Sequence, residues 1–299
     1  MTDPGSPTLE QLRVFAAVAE SGSFSAAARR LNRAQSAVSY AIGNLEELLG
    51  LELFERGHRR PLLTEAGRAV LSDAKRVERL VNDLRARATG LHAGLEAEVG
   101  LAVDVMFPTA RLVAVLEAFA RQFPTVTLRL RIEALGAVVQ LVLDRACGLG
   151  ISGPMGIRAE AVERRPLCQI ELVPVCAPTH PLAGAPPPIE VSALHEHIQL
   201  VLTDRSRLTE GQEFGVISPR AWRLGDLGAK HALLRAGLGW GNMPAHMVCD
   251  DLGAGRLVRV KLQQPGVMFQ LQLIHRADTP QGPATRWLAD RLAQPPEVA

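Results

Sequence analysis

The segment from residue 23 to residue 50 constrains the fold of this chain more than any other part of it. It reads SFSAAARRLNRAQSAVSYAIGNLEELLG, which is two short helical segments broken at LNRAQ. In the second segment, over about 35–49, helical spacing places Val38, Ile42 and Leu45 on one side and polar residues on the other. Polar side chains contribute little to a core, so the polar side predicts a partner outside the fold.

A third helix precedes these two. Leu9, Leu12 and Phe15 have helical spacing, and the pattern predicts a helix over 8–20 whose first turn is closed by a capping box of Thr8 and Gln11. Three short helices, with the last two joined by about three residues, form a helix-turn-helix, whose second helix enters the DNA major groove. The alternative interpretation is an exposed polar face on an ordinary helical subdomain.

The next segment, LELFERGHRRPLLT over 51–64, alternates apolar residues around an arginine-rich turn. This pattern predicts a β-hairpin wing that lies over the phosphate backbone. Residues 1–90 carry 13 Lys and Arg against 11 Asp and Glu, a small surplus of positive charge. The predicted DNA-binding residues of the helix and the wing are Arg33, Gln35, Ser36, Ser39, Tyr40, Asn44, Arg56, Arg59 and Arg60.

A long helix is predicted from Thr64 to about Gly90. Its apolar residues recur every seven positions in one narrow row, which is typical of a helix that pairs with a second copy of itself. The alternative, a helix that lies on its own domain, usually needs a wider apolar stripe. The residues predicted to mediate dimerisation are Val70, Val77, Val81 and Leu84.

The rest of the chain has the βαβ rhythm of an α/β domain. Strand-like segments such as VGLAVDVMF and GLGIS alternate with helix-like segments such as TARLVAVLEAFARQF. Their order predicts two α/β lobes with two crossings between them, near 162–166 and 265–271. A cleft between two such lobes suits small ligands, because strand ends and helix N-termini direct polar groups into it.

These motifs together resemble the LysR-type transcriptional regulators. The combination of AVS, NLE and LTEAG at these spacings covers residues 8–90, and VPVCAPTHPLA, GLGWGNMP and GRLVRV extend the resemblance to about residue 293. It implies an N-terminal all-α winged helix-turn-helix with a long linker helix and a C-terminal α/β two-lobed effector domain similar to periplasmic binding proteins. The implied boundaries are 1–64 for DNA binding, 65–92 for the linker helix and 93–299 for the effector domain, with lobe I at 93–163 and 270–299 and lobe II at 164–269.

Two positions depart from the family pattern. Ala34 stands where relatives usually carry a Ser or Thr that caps the recognition helix, and we expect Asn32 with Gln35 to cap it instead. Tyr40 stands where relatives often have Arg, so the base contacts of this chain should differ from theirs.

In the family, the effector lies between the lobes. The resemblance maps its site to Met106, Phe107, Pro108, Thr109, Ser152, Leu202, Thr203, Asp204, Arg205, Trp240, Asn242 and Met243. Thr203 and Arg205 would hold a polar or anionic group while Trp240 covers an apolar body, so we expect an effector with an apolar or aromatic part and one polar end. The alternative is that Phe107 and Trp240 complete the cores of the lobes and that Arg205 is solvated.

The function implied is that of a DNA-binding transcriptional regulator controlled by a small-molecule effector. Its expected partners are operator or promoter double-stranded DNA, the effector, further copies in a homodimer or homotetramer, and RNA polymerase if it activates. The N-terminal MTDPGSPTLEQ does not resemble a signal peptide, and no apolar run reaches the roughly 18 residues of a membrane span. We therefore expect a cytoplasmic protein with no membrane association and four reduced cysteines.

Other classes of protein fit the sequence less well. No phosphate loop or nucleophile elbow is present, so we expect no enzyme and no cofactor. The triplet at 195–197 and the pair His246 and Cys249 are weak metal motifs, and no metal is expected. A thiol-based redox regulator using Cys168 and Cys176, a small-molecule-binding protein without DNA function and a DNA-bridging protein remain as alternatives.

Overall fold

The computed structural model describes residues 6–55, 60–153, 161–263 and 266–295. The chain divides into two compact units, residues 1–90 and 91–299. Within the described ranges, no helix combines the length and the apolar character that a membrane span needs.

The first unit is helical. It contains α1 (Leu9–Ser21), α2 (Phe24–Arg30), α3 (Gln35–Leu49) and α4 (Glu65–His92). The predicted capping box is present, because the Thr8 hydroxyl accepts from the backbone N–H of Gln11 while the Thr8 N–H donates to Gln11 Oε1 at 2.8 Å. Gly22 and Gly50 end α1 and α3 in the left-handed conformation that glycine adopts without strain.

The start of α3 differs from the prediction. Its cap residue is Ala34, and no side chain of the described residues caps it, so the expected cap by Asn32 and Gln35 is wrong. Asn32 instead occupies the turn before the helix with φ of 53°, a left-handed conformation that Asn tolerates better than most residues. Asn at position 32 is therefore explained by the left-handed backbone of the turn and not by capping of α3.

The core of the first unit joins all four helices to the hairpin. Phe54 packs edge to face on Phe15 and Phe24, with ring centroids 5.5 and 5.7 Å apart. The predicted hairpin is formed at its base, where Phe54 and Leu63 make an antiparallel bridge. The tip, residues 56–59, lies outside the described residues and includes the predicted Arg56 and Arg59.

The second unit is an α/β domain. Its elements are β1 (Glu98–Asp104), α5 (Thr109–Gln122), β2 (Thr127–Glu133), α6 (Gly136–Leu143), β3 (Leu149–Ser152), β4 (Val162–Cys176), α7 (Val191–His195), β5 (Gln199–Leu202), β6 (Ala221–Leu224), α8 (Leu227–Arg235), β7 (Trp240–Pro244), α9 (Ala245–Gly253), β8 (Val258–Arg259), β9 (Val267–Arg276) and α10 (Pro283–Ala293). Short 3₁₀ turns at Pro181–Ala183 and Arg207–Thr209 and the helix α7 were not predicted.

Two long strands connect the two lobes. The described strands form one sheet in the order β2-β1-β3-β9-β4-β7-β5-β6, with β8 beside β4. The strands β4 and β9 pair antiparallel from Val162 opposite Arg276 to Leu172 opposite Val267. The predicted two-lobed fold is confirmed, but the crossings are long paired strands and not the short segments that the sequence indicated.

Each lobe has a core on both faces of its sheet. In lobe I, one face packs α5 and α10 around Leu101, Phe119 and Leu288, and the other packs α6 on the sheet. In lobe II, one face carries α8 and α9, and the other buries Trp240 and Leu194. Because helices and loops cover both faces of each lobe, the gap between the lobes is a suitable place for a ligand.

Gly67 is required where α4 packs on the hairpin. Its Cβ position would collide with the carbonyl oxygen of Leu53, so Gly67→Ala should lower the free energy of unfolding of the first unit by about 1 to 3 kcal/mol. Gly43→Ala is the matched control, because it also lies inside a helix but has open space around it, and it should raise stability by about 0.5 to 1 kcal/mol. Hydrogen exchange over residues 6–90 of the full chain measures both; equal protection in the two variants would contradict this packing.

Candidate nucleic-acid interface and ligand cleft

The recognition helix α3 presents a polar surface to solvent. Gln35, Ser36, Ser39 and Tyr40 are exposed, and Tyr40 is 71 % exposed although Val38 and Ile42 beside it are buried. The predicted Asn44 is half-buried. The first turns of α3 therefore carry hydroxyl and amide groups that have access to DNA base edges.

The predicted arginines have different environments. The guanidinium of Arg33 pairs with Glu10 at 2.9 Å, and both side chains are about half exposed. Such an exposed ion pair contributes at most about 1 kcal/mol, so a phosphate can replace Glu10 at little cost. Arg60, which directly follows the hairpin tip in the chain, is exposed.

An apolar stripe on α4 lies open to solvent. Leu80 and Leu84 are 63 and 66 % exposed, and Val77 and Leu91 are also exposed. Val81 is half-buried, whereas Val70 packs against the core of its own unit. The exposed stripe therefore begins at Val77, later than the sequence predicted, and it includes Leu80, which the seven-residue repeat had left out.

The turn after β1 forms the lobe I side of the cleft. The strand ends at Asp104, where the predicted strand had continued to residue 107, because the N–H of Phe107 turns back to the Asp104 carbonyl at 2.9 Å. The Asp104 carboxylate accepts from the N–H of Met106 at 2.9 Å and is 1 % exposed. Burial raises the pKa of Asp104 to about 7, with a smaller contribution from the nearby Asp204 carboxylate, while the N–H groups of Met106 and Leu135 oppose the rise.

The two lobes meet at the start of α6. A Cβ atom on Gly136 would lie 2.6 Å from the Thr209 side chain of lobe II, so a larger residue would force the Thr209 side chain to shift. Beside it, the Thr209 hydroxyl donates to Asp204 at 2.5 Å. Asp104 of lobe I and Asp204 of lobe II therefore lie near each other across this contact, and the two negative charges repel.

An apolar cavity of about 220 Å³ lies between the lobes. Its walls combine the lobe I residues Met106 and Leu135, residues of the connecting strands and residues of lobe II. The lining residues are Met106, Leu135, Leu172, Gln199, Leu200, Val201, Leu202, Phe214, Gly215, Leu227, Lys230, Asn242, Pro244, Val267 and Phe269. A concave, largely apolar space of this kind suits a small organic ligand.

Two wider and more polar hollows adjoin this cavity. One of about 450 Å³ lies between residues 133–141 of lobe I and residues 203–206 of lobe II, and it includes Thr203, Asp204 and Arg205. The other, about 750 Å³, lies over residues 201–216 and shares those three residues. The predicted polar residues of lobe II thus line the space around the cavity.

The structure brings only part of the predicted effector site to the cavity. Met106, Leu202 and Asn242 line it. Trp240 is fully buried among Cys176, Leu182 and other residues of lobe II, because alternation along β7 directs it to the opposite face of the sheet from Met243. The expectation that Trp240 covers a ligand is therefore wrong.

Other predicted effector residues also serve the cores. Phe107 and Met243 are buried, and Ser152 is buried with its hydroxyl donating to the Gly153 carbonyl at 3.2 Å. Pro108 precedes α5 as its cap, and Thr109 is exposed at the first position of that helix. These residues support the cleft from behind or lie at its rim.

Sequence reasoning missed Lys230, together with Leu135, Phe214 and Phe269. Lys230 has the same helical spacing as Leu227 and Leu234, so periodicity placed it on the buried face of α8. The sequence signal for this residue was a lysine at a position where the helical spacing of α8 predicts a buried apolar side chain. The other three come from loops and strands whose neighbours only the tertiary structure defines.

The cysteines and the suspected metal motifs show no special chemistry. Burial raises the pKa of the Cys168 thiol, and that of Cys176 to about 11, which suppresses the thiolate that redox sensing needs. Cys249 is exposed, and its thiol donates to the His246 carbonyl. Among the residues that the structure describes, no group of three His, Cys, Asp or Glu side chains is placed to hold a metal ion.

A helix-turn-helix unit followed by a two-lobed α/β unit with an interlobe cavity defines a ligand-responsive DNA-binding protein. The family model of the bacterial regulatory helix-turn-helix protein, lysR family, matches residues 9–68, and that of the LysR substrate binding domain matches residues 92–295. The chain belongs to the LysR family of transcriptional regulators. It is a DNA-binding regulator with an effector-binding domain, of a family that binds small molecules and forms oligomers.

Known proteins resemble the chain along most of its length. The probable HTH-type transcriptional regulator YhaJ of Escherichia coli K12 is 31 % identical over 94 % of this chain and 94 % of its own. OxyR of Corynebacterium glutamicum has the same fold with a TM-score of 0.53 at 23 % identity, covering 97 % of this chain and 93 % of that one. LysG of the same organism, solved with bound effector Arg, has a TM-score of 0.51 at 19 % identity, covering 96 and 97 %.

Asp104 makes the stability of the effector unit depend on pH. Its pKa is raised from 3.8 to about 7, so the favourable contribution of the protonated form is complete below about pH 4 and is lost as the pH rises to 7. Asp104→Asn keeps the acceptor for Met106 without the charge. The variant should match the wild type near pH 4 and exceed it by up to about 4 kcal/mol at pH 8.

Urea denaturation followed by tryptophan fluorescence reports this difference, because Trp222, Trp240 and Trp287 all lie in the second unit. Asp144→Asn is the control, since Asp144 is exposed in the same lobe, and its difference from wild type should not change with pH in this way. A stability difference between Asp104→Asn and wild type that stays constant from pH 4 to pH 8 would show that folding does not raise the pKa of Asp104.

Proposed function

We propose that residues 1–64 bind operator DNA through α3 and the hairpin, that residues 65–92 join two copies, and that residues 93–299 bind a small-molecule effector between the lobes. The observation that carries the proposal is the exposed polar face of α3. Tyr40 is 71 % exposed on a helix whose other side forms the core, so its ring and hydroxyl stand beside the exposed Gln35, Ser36 and Ser39 where they have access to DNA.

The chemistry of this face suits DNA. Gln35 and Ser39 both donate and accept hydrogen bonds, as base edges in the major groove require. Tyr40 adds an apolar ring for a thymine methyl group or a sugar, together with one hydroxyl. Arg60 lies exposed on the hairpin, where a cation favours the phosphate backbone without reading sequence.

The Ser39→Ala, Tyr40→Ala double variant should discriminate poorly between operator and other DNA. We expect operator binding to weaken by about 1 to 3 kcal/mol for each base edge that the variant no longer reads, while binding to random DNA changes little. Arg60→Ala should instead weaken binding to all sequences alike and reduce the slope of affinity against salt by about 1. Fluorescence anisotropy with operator and random duplexes measures both.

Ser72→Ala is the matched control for this experiment, because Ser72 is exposed on α4 and away from the α3 surface in sequence. Unchanged operator affinity and selectivity in the double variant would show that α3 does not read the DNA.

The stripe of Val77, Leu80, Leu84 and Leu91 supports the assembly. Apolar side chains at this spacing form a seam on a single long helix, and a second α4 offers the matching surface. A homodimer buries the stripe once, and pairing of dimers gives a homotetramer. Two DNA-binding units joined in this way would occupy two half-sites at a fixed spacing.

Leu84→Asp should break this assembly. The variant places a carboxylate in the centre of the seam twice per dimer, where it would be buried without a partner. Static light scattering should show a shift from dimer or tetramer towards monomer. Asn82→Asp introduces the same charge on the opposite side of the same helix and should leave the mass unchanged. A dimer of unchanged mass in Leu84→Asp would place the interface elsewhere.

The interlobe cavity supports an effector with an apolar part and one polar end. Its lining includes Met106, Phe214 and Phe269, and the polar residues Thr203 and Arg205 lie in the adjoining hollows. Effector binding would change DNA binding without a catalytic step. As a bacterial DNA-binding regulator, the protein would act in the cytoplasm, and contact with RNA polymerase would follow if it activates transcription.

A further inference from the structure

Lys230 is a buried cation in the interlobe cavity. It lies on α8 between Leu227 and Leu234, faces the sheet with them, and is 4 % exposed. Its ammonium group donates to the backbone carbonyl of Asn242 on β7 at 2.7 Å. An ammonium has three N–H donors, so one carbonyl satisfies only a part of its hydrogen-bonding capacity.

No counter-charge accompanies this ammonium in the parts of the chain that the structure describes. None of their Asp or Glu side chains forms a salt bridge with Lys230, and burial alone lowers the pKa of Lys230 to about 8. A buried charge without a partner is unfavourable, and a leucine at this position would pack on the sheet at no such cost. The position of Lys230 is therefore better explained by a ligand than by the fold.

The neighbouring strand leaves room for the lysine. A Cβ atom at Gly241 would lie 2.6 Å from the carbonyl oxygen of Leu200 and 3.2 Å from Cε of Lys230. Glycine at this position allows β7 to approach β5 and allows the lysine stem to pass between α8 and the sheet. The ammonium then reaches the cavity wall beside Asn242.

The remaining cavity lining is almost entirely apolar. Lys230 is the one ionisable residue among the described residues that line it. The Gln199 amide is already used, since it donates to the Gly215 carbonyl and accepts from the N–H groups of Ile217 and Ser218. The cavity thus offers one positive charge at one wall and apolar contact elsewhere.

The volume of the cavity suits a small ligand. An apolar cavity of about 150 Å³ holds benzene, so the space here of about 220 Å³ holds a single ring with a small substituent. Among the described residues that line the cavity itself, a sugar would leave most of its hydroxyl groups without partners, and a second anionic group would find no second cation. One charge and one apolar body match this space.

We infer that the interlobe cavity binds a small monocarboxylate with an apolar ring or chain, and that the Lys230 ammonium is the counter-charge for its carboxylate. This inference rests on the proposed function, because it names the chemical class of the effector. Lys230 would bridge the ligand and the Asn242 carbonyl, while Met106 and Leu135 of lobe I would contact the apolar body.

Calorimetry on the full chain with phenylacetate and phenylacetamide tests this inference, because the two probes share a shape and differ in charge. The wild type should bind phenylacetate at least about tenfold more tightly than the amide, as expected for a charge-assisted hydrogen bond. Lys230→Met should abolish that preference while keeping the apolar contact. Lys261→Met is the matched control, since Lys261 is exposed in the same lobe, and it should keep the preference.

The wild-type comparison stands even if Lys230→Met does not fold. Failure of the wild type to bind phenylacetate, equal binding of the two probes, or a preference that persists in Lys230→Met would each overturn the assignment. DNA binding by α3 is measured separately by anisotropy, so these results would leave the regulator function itself untouched. If the wild-type protein did not bind operator DNA in that measurement, the proposed function would be contradicted instead.

Discussion

The pairing of β4 with β9 is the interaction on which the effector unit depends. The two strands run antiparallel from Val162 opposite Arg276 to Leu172 opposite Val267, while β9 also pairs with β3 of lobe I and β4 also pairs with β7 and β8 of lobe II. Because the chain passes between the lobes through these strands, the lobes share one hydrogen-bonded sheet. The apolar cavity lies against the same strands, with Leu172 and Phe269 in its wall, so the connection that holds the lobes together also forms part of the ligand site.

Local patterns were enough to predict most of the fold. Helical spacing and the Thr8 capping box defined the first unit, and the alternation of strand-like and helix-like segments predicted two α/β lobes. Predictions failed at positions where tertiary packing determines which residues are capped or buried. The start of α3 has no side-chain cap, and the first part of α4 packs on its own unit at Val70, which a seven-residue repeat cannot distinguish from a dimer seam.

The candidate site was harder to predict than the fold, for a physical reason. A sequence shows which residues are polar or aromatic but not which face of a sheet they occupy, and Trp240 belongs to the opposite face from the cavity. Positions carried over from relatives describe where the backbone lies, and Met106, Leu202 and Asn242 do line the cavity. The charge that distinguishes this cavity, Lys230, comes from the helix behind the sheet, where only its presence on an apolar face gave a signal.

The energetics of the cleft differ from those of the cores around it. Lys230 and Asp104 are both buried. Burial lowers the pKa of Lys230 and raises the pKa of Asp104, which means that the folded protein disfavours the charged form of each. Natural proteins retain such groups mainly where function requires them. A ligand can change the balance between two conformations only through a difference in its affinity for them. A carboxylate held by Lys230 of lobe II, with its apolar body on Met106 and Leu135 of lobe I, would have that difference, because any change in the separation of the lobes alters one contact relative to the other.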